Sequence, residues 1–285
     1  MRFISLLLVV LYPVLSFGKL PSDEPEFVIV TTSYNNGSSN NNLCLKNLAS
    51  IASQTYPKFS VIYVDDVSSD DTASLVDNFV SQNHLENKIK VIHNTERKGA
   101  MRNIYETIHT IEPDKIVVMV DGDDMLAHKK VLEYLASVYK DKKVWITYGS
   151  LITFTQGRFK HHPDHSPEVV FRAMPPSPRA IATGDFSGFA ALWYHPKTFY
   201  AKLFQLIKKE DLFYEGDFYP ASSDLAFMRR MLEMASRNHF KPIGEILYHY
   251  YISPISECEV RRDLQIKVEK DVWSKPPYKP LETLF

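Results

Sequence analysis

Four short apolar runs constrain this chain more than any other feature. Phe27 to Thr32, Phe59 to Val64, Ile89 to Ile92 and Ile116 to Val120 are rich in β-branched residues and have no polar alternation. That is the pattern of strands buried on both faces. Between them, Leu43 to Gln54, the segment carrying Leu75, Val76, Phe79 and Val80, and Ala100 to Ile111 place apolar residues at helical spacing. Pro57 closes the first helix, and Ser68 to Thr72 offers N-cap residues for the second. Strand and helix alternating at this rhythm predict an α/β fold: a mostly parallel central sheet flanked by helices, Rossmann-like, in a single domain.

Sheets of this kind put their ligand sites at the carboxyl ends of the strands. Three segments occupy those places: Thr32-Ser33-Tyr34, Asp65-Asp66 and Asp121-Gly122-Asp123-Asp124. The last is the sharpest. Carboxylates at i and i+2 of an extended chain project to the same side, so Asp121 and Asp123 can share a hard cation. Solvated acids ahead of a helix would look the same. Only ten glycines occur, and none form a Gly-rich phosphate loop of the Rossmann or P-loop kind, so a diphosphate must be held some other way, and a carboxylate-held divalent ion is the simplest way to neutralise one at a strand end.

Composition narrows the function classes. With 33 Lys and Arg against 34 Asp and Glu, the net charge is −1, which lacks the basic field that nucleic-acid binding requires. The motifs of the α/β-hydrolase nucleophile elbow and of the zincins are missing. Residues 1–18 have a basic start, an apolar run from Phe3 to Leu15 and small residues at Ser16 and Gly18. They read as a secretory signal, with a membrane anchor as the alternative, so the expected location is secreted or within an endomembrane lumen. Such a compartment permits a disulfide between Cys44 and Cys258, although two free thiols fit equally.

The second half is less regular. Val144 to Tyr148 and Leu151 to Phe154 are predicted strands, Pro196 to Lys208 and Ser222 to Arg237 helices, and Ile246 to Tyr251 a last strand. Gln156 to Asp185 is polar and Pro-rich, expected as a long functional loop, and Pro276, Pro277 and Pro280 mark a trailing tail. The expected division is 1–18 as signal, 19–253 as the functional domain and 254–285 as a C-terminal extension.

Four blocks in order, Val28 to Asn35, Ser53 to Pro57, Val64 to Thr72 and Val120 to Asp124, resemble the signature segments of the family 2 glycosyltransferases of GT-A fold. The resemblance implies a metal-dependent enzyme that moves a sugar from a nucleotide-sugar donor, a UDP-sugar being the first expectation, to a glycan, protein or lipid acceptor with inversion. It implies that Thr32, Tyr34 and Asp66 bind the nucleoside, with Asp65 in support. Arg102 would contact the donor, Asp121 the ribose or metal, and Asp123 would hold Mn²⁺ or Mg²⁺. His249, after the last strand, would be a further diphosphate or metal contact. Ser222-Ser223-Asp224 resembles the block that carries the family's general base, with Ser223 in place of its usual Glu. Asp224 is therefore the expected base, although Asp at this place can equally cap a helix.

Trp193 is a candidate platform for an acceptor sugar, and His161, His162 and His165 have metal-like composition without further ligands. Two other readings compete. A nucleotidyl- or sugar-phosphate transferase would carry a basic phosphate loop, whereas Tyr34 to Asn42 holds no Lys or Arg. A non-catalytic carbohydrate-binding protein would be expected to lose Asp123 or Asp224, and both are present.

Overall fold

The apolar runs form the strands expected of them. In the computed structural model, which describes residues 24–155, 168–236, 238–252 and 261–285, β1 (Phe27–Ser33), β2 (Phe59–Asp65), β3 (Ile89–His93) and β4 (Ile116–Met119) pair in the parallel order β3-β2-β1-β4. β1 is central and its apolar residues are buried, as a strand with sheet on both sides and helices on both faces requires. The crossovers are α1 (Leu43–Ala52), α2 (Thr72–Gln82) and α3 (Ala100–Ile108), which bury Leu48 and Ile51, Val76 and Val80, and Met101, Ile104 and Ile108 respectively. The parallel half of the sheet and its helices thus follow directly from the period of the sequence.

Beyond β4 the sheet becomes mixed. β5 (Met125–Leu126) and α4 (Val131–Tyr139) lead into β6 (Ile146–Thr155), a single strand where two were expected. β7 (Glu168–Phe171) and α5 (Pro178–Thr183) follow; they lie inside the stretch expected as a loop, where Val169 to Phe171 supply β-branched and aromatic residues that pair with β6. β8 (Lys197–Tyr200) then inserts between β4 and β6, antiparallel to both, and α6 (Ala201–Gln205) follows. This overturns the continuous helix read from Pro196 to Lys208. All four residues of β8 are buried, and ladder pairing on both sides outweighs the helical spacing of the segment.

After the small hairpin of β9 (Phe213–Tyr214) and β10 (Asp217–Phe218), α7 (Ser223–Met234) packs Phe227 against Phe199 of β8 and Phe204 of α6, and β11 (Phe240–Ile252) pairs with β6 and with β5. The chain from 261 onward does not trail. α8 (Arg262–Ser274) buries Val268 and Val272, and Leu284 is also buried. The segment is fastened to α7 by charge. Arg229 and Arg230 share Glu233, Arg229 Nη1 and Nη2 donate to the carbonyls of Val272 and Lys275, Arg230 Nη1 donates to that of Pro276, and the Tyr278 N–H donates to Glu233 Oε2 at 2.9 Å. Among the described residues no helix is long and apolar enough to cross a membrane. The expected signal at 1–18, the histidines at 161, 162 and 165, and Cys258 lie outside the described residues, while Cys44 is a buried free thiol.

Glu233 is 1% exposed, and its removal strands two buried guanidinium groups. Glu233→Ala is expected to cost about 3–5 kcal/mol of stability, read from urea denaturation, with the near-UV signal of Trp273 lost in the same transition.

Candidate active site

The acidic turn after β4 is built by contacts from three other elements. The Gly122 N–H donates to the Thr32 carbonyl of β1 at 3.0 Å, and a Cβ at 122 would stand 2.5 Å from Ser33 Cβ, so only glycine fits beside that strand end. From α1, Asn47 Nδ2 donates to the carbonyls of Asp121 and Asp124 at 2.9 and 2.8 Å. From β11, Tyr248 accepts the Asp121 N–H at 3.0 Å and donates its hydroxyl proton to Asp124 Oδ2 at 2.8 Å, while the Tyr251 N–H reaches Asp124 Oδ1 at 2.7 Å. Asp124 is thus a buried structural anchor, and Asp121 and Asp123 are left partly exposed.

Crowding sets the electrostatics. Burial and the neighbouring Asp121 charge push the Asp123 carboxyl up to about 7. Burial also raises Asp121; His195 and Lys197 pull against that rise, and Asp224 adds to it. Asp124 is raised well above the carboxylate range by burial and by Asp123 and Asp121. A site with carboxyls this hard to ionise together is one that a cation would stabilise.

Asp224 reaches the same place from the first turn of α7. Its carboxylate does not cap the helix; it accepts from Lys197 Nζ at 2.7 Å and lies 3.3 Å from His195 Nε2. His195 Nε2 is also 3.8 Å from Asp121 Oδ2. Burial would raise Asp224, but the Lys197 ammonium and His195 outweigh it and hold the carboxyl below its ordinary range. Asp121, His195 and Asp224 present ligand atoms within 4.8 Å of one another, a set of donors that suits a divalent metal. Sequence reasoning placed Asp121 and Asp224 here and missed His195, Lys197, Asn47 and Tyr248. Lys197 sits in the segment read as a helix from Pro196 onward, and His195 in the turn just ahead of it; Tyr248 carried a detectable signal as an inward position of an alternating strand.

His249 does not join this group. Side chains alternate along β11, and the rings of Tyr248 and Tyr250 lie 4.7 and 5.9 Å from that of His195. His249 accordingly faces the other way, with its ring 4.8 Å from that of Phe154.

The expected nucleoside residues gather at the ends of β1 and β2. Tyr34 is 42% exposed with the Arg97 guanidinium stacked on its ring, and Thr32 is half-buried beside it. Asp66 is buried and fully engaged, accepting from Lys98 N and Asn94 Nδ2 on one oxygen and from Gly99 N on the other. Burial opposes its ionisation, but these donors lower it overall. Asp66 therefore shapes the loop ahead of α3, and Asp65 supports the following turn through Ser68. Arg102 pairs with Glu106 on its own helix at 2.9 Å. Trp193 is 36% exposed close to Lys197, whose Nζ lies 3.4 Å from its carbonyl.

Tyr248→Phe removes the hydroxyl that serves both Asp121 and Asp124. It is expected to destabilise the fold by about 1–3 kcal/mol in thermal or urea unfolding.

Comparisons with known proteins bear on the fold and the family. The sequence pattern described as Glycosyl transferase family 2 matches residues 28–212. A curated relative, glycosyltransferase GlyG of Streptococcus pneumoniae serotype 4, is 26% identical over 204 residues, covering 70% of this chain and 63% of the relative, so the chain spans less than two thirds of that protein. Among solved structures, S. aureus TarS 1-349 in complex with UDP-GlcNAc aligns over 80% of this chain and 58% of its own, with a TM-score of 0.54 and 19% identity. Mannosyltransferase PcManGT from Pyrobaculum calidifontis, in complex with GDP-Man and Mn²⁺, aligns over 91% and 68%, with a TM-score of 0.57 and 17% identity. These likenesses carry the fold, which is GT-A, and the family pattern covers most of the chain: the protein belongs to glycosyltransferase family 2.

Proposed function

We propose that this glycosyltransferase is metal-dependent and inverting, taking a sugar from a nucleotide-sugar donor to an acceptor hydroxyl. The observation that carries the reading is the meeting of Asp121 and Asp224 around His195, at 3.8 and 3.3 Å. Two carboxylates with separate expected roles thereby flank one small space at the carboxyl edge of the sheet. Asp121 and Asp123 would hold Mn²⁺ or Mg²⁺, which when bound neutralises the negative charge that develops on a departing diphosphate. The raised pKa of Asp123 supports this assignment, because a carboxyl that resists ionisation alone gains most from a cation.

Tyr34 and Arg97 offer a stacking surface for the nucleobase, with Thr32 beside it. Asp224 takes the proton of the acceptor hydroxyl as its oxygen bonds to the anomeric carbon. The bond from that carbon to the diphosphate breaks, and the nucleoside diphosphate leaves with the electron pair. Held ionised by Lys197, Asp224 is in the proton-accepting form throughout the neutral range. UDP- and GDP-sugars are the donors to try first, since related folds are known with UDP-GlcNAc and GDP-Man. A secreted or lumenal location remains part of the proposal through residues 1–18.

The test is release of nucleoside diphosphate from a panel of sugar nucleotides with Mn²⁺ or Mg²⁺. Asp224→Asn is expected to lower turnover on the order of 10²–10⁴-fold with donor binding retained, and Asp123→Ala to abolish metal-stimulated turnover. Wild-type turnover in both variants refutes the role assignments. Because Asp123 must lose its proton to bind a cation, Mn²⁺ affinity is expected to rise about tenfold between pH 6 and pH 8, measured by calorimetry, and the rise is expected to vanish in Asp123→Ala.

A further inference from the structure

The group Asp121, His195 and Asp224 has the composition of a metal site, yet a fourth side chain already stands in it. Lys197 is 0% exposed, and its Nζ meets Asp224 Oδ2 at 2.7 Å, the Trp193 carbonyl at 3.4 Å, and His195 Nε2, which accepts from it in the tautomer that carries its proton on Nδ1. An ammonium has three N–H donors, so this set uses all of them. The groups that face it are Asp224 from α7, His195 from the turn ahead of β8, and Asp121 from the acidic turn, whose Oδ2 lies 3.8 Å from the same imidazole nitrogen. A divalent ion ligated by His195 and Asp224 would need the His195 nitrogen and the Asp224 oxygen that Lys197 now engages. Two cations cannot share those atoms without strong repulsion.

We propose that Lys197 is the resident cation of this site: it positions Asp224 for proton abstraction and closes the His195–Asp224 side to metal, confining the ion to Asp121 and Asp123. The positioning half rests on the reading of Asp224 as the base; the exclusion half does not. Lys197 is fixed by β8, whose backbone is hydrogen-bonded to β4 on one side and β6 on the other, so the ammonium is held by the sheet, while Asp224 stands on a helix end. The sheet therefore sets the place of the carboxylate, with no reliance on a helix cap, and the Ser222 hydroxyl forms no cap bond.

Two readouts test it on the full chain. Lys197→Met keeps the volume and removes the charge. Titrated with Co²⁺ and followed by visible d–d absorption, it is expected to bind one equivalent more than the wild type, and that equivalent is expected to disappear in the Lys197→Met/His195→Gln double variant. In turnover, Lys197→Met is expected to fall about 100-fold in kcat with donor KM within about threefold of the wild type. Lys197→Ala, which opens a cavity where the buried ammonium stood, is expected to regain part of its lost turnover with ethylamine, Lys197→Arg to retain more activity than Lys197→Met, and Lys197→Met/Asp224→Asn to match Asp224→Asn alone.

The proposal is overturned if Lys197→Met binds no additional Co²⁺, or if the wild type already holds Co²⁺ through His195, seen as a spectral change on His195→Gln. It is overturned equally if kcat and KM deteriorate together in Lys197→Met and ethylamine has no effect on Lys197→Ala. Should Lys197→Met not fold, Lys197→Arg carries the test: extra Co²⁺ in that variant, which keeps the positive charge, contradicts the exclusion. An active Asp224→Asn refutes the assignment of the base and leaves the Co²⁺ result to decide exclusion on its own. An inactive Asp224→Asn beside a fully active Lys197→Met refutes the positioning role alone.

Discussion

The structure depends on keeping four carboxyl groups, Asp121, Asp123, Asp124 and Asp224, close together, with Asp124 buried and the other three partly buried. Like charges in such surroundings repel strongly, and each also loses hydration. The fold answers each one differently. Asp124 is sealed by Tyr248 and the Tyr251 N–H, and Asp224 is paired with Lys197. Asp121 has His195 nearby and feels Lys197 at longer range, and Asp123, crowded by Asp121, is pushed up to about 7. The two that remain undercompensated are the two that face the open side of the turn. On the proposed function, this excess of acid is the place for a cation and the diphosphate it would accompany.

The topology makes this possible. A purely parallel sheet would continue from β4 with another crossover helix, whereas here β8 enters antiparallel between β4 and β6. An antiparallel neighbour begins where β4 ends, so its first residue, Lys197, and the preceding His195 arrive at the acidic turn. β11 completes the site from the far side: Tyr248 and Tyr250 face the imidazole, and Tyr248 joins two backbone and side-chain groups of the turn through one hydroxyl. The C-terminal segment contributes indirectly, since Glu233 ties α8 and residues 275–278 to α7, the helix that presents Asp224.

Much of the first half was legible because buried parallel strands and their crossover helices write their periods plainly. Asp121, Asp123 and Asp224 were legible as residue types at strand and helix ends. Lys197 was not, because a strand of four residues carries too little pattern to be told from a helix, and its identity comes from ladder bonds on both edges that only the tertiary structure supplies; His195, in the turn ahead of that strand, depends on the same missed placement. His249 was misplaced for a related reason: position after a strand does not say which face a side chain takes, and the alternation starting from Tyr248 decides it. Asp66 was placed correctly at its strand end, yet the N–H groups of Lys98 and Gly99 that occupy it come from a loop whose path no local pattern announces.

The central claim is that the turn after β4 binds a divalent ion together with a nucleoside diphosphate. Calorimetric titration of UDP and of GDP into the full chain, with and without Mn²⁺, tests it most directly. The expected result is saturable binding of one of them that depends on Mn²⁺ and is lost in Asp123→Ala. Binding of equal strength without metal, or no binding of either nucleotide at any Mn²⁺ concentration, contradicts the account.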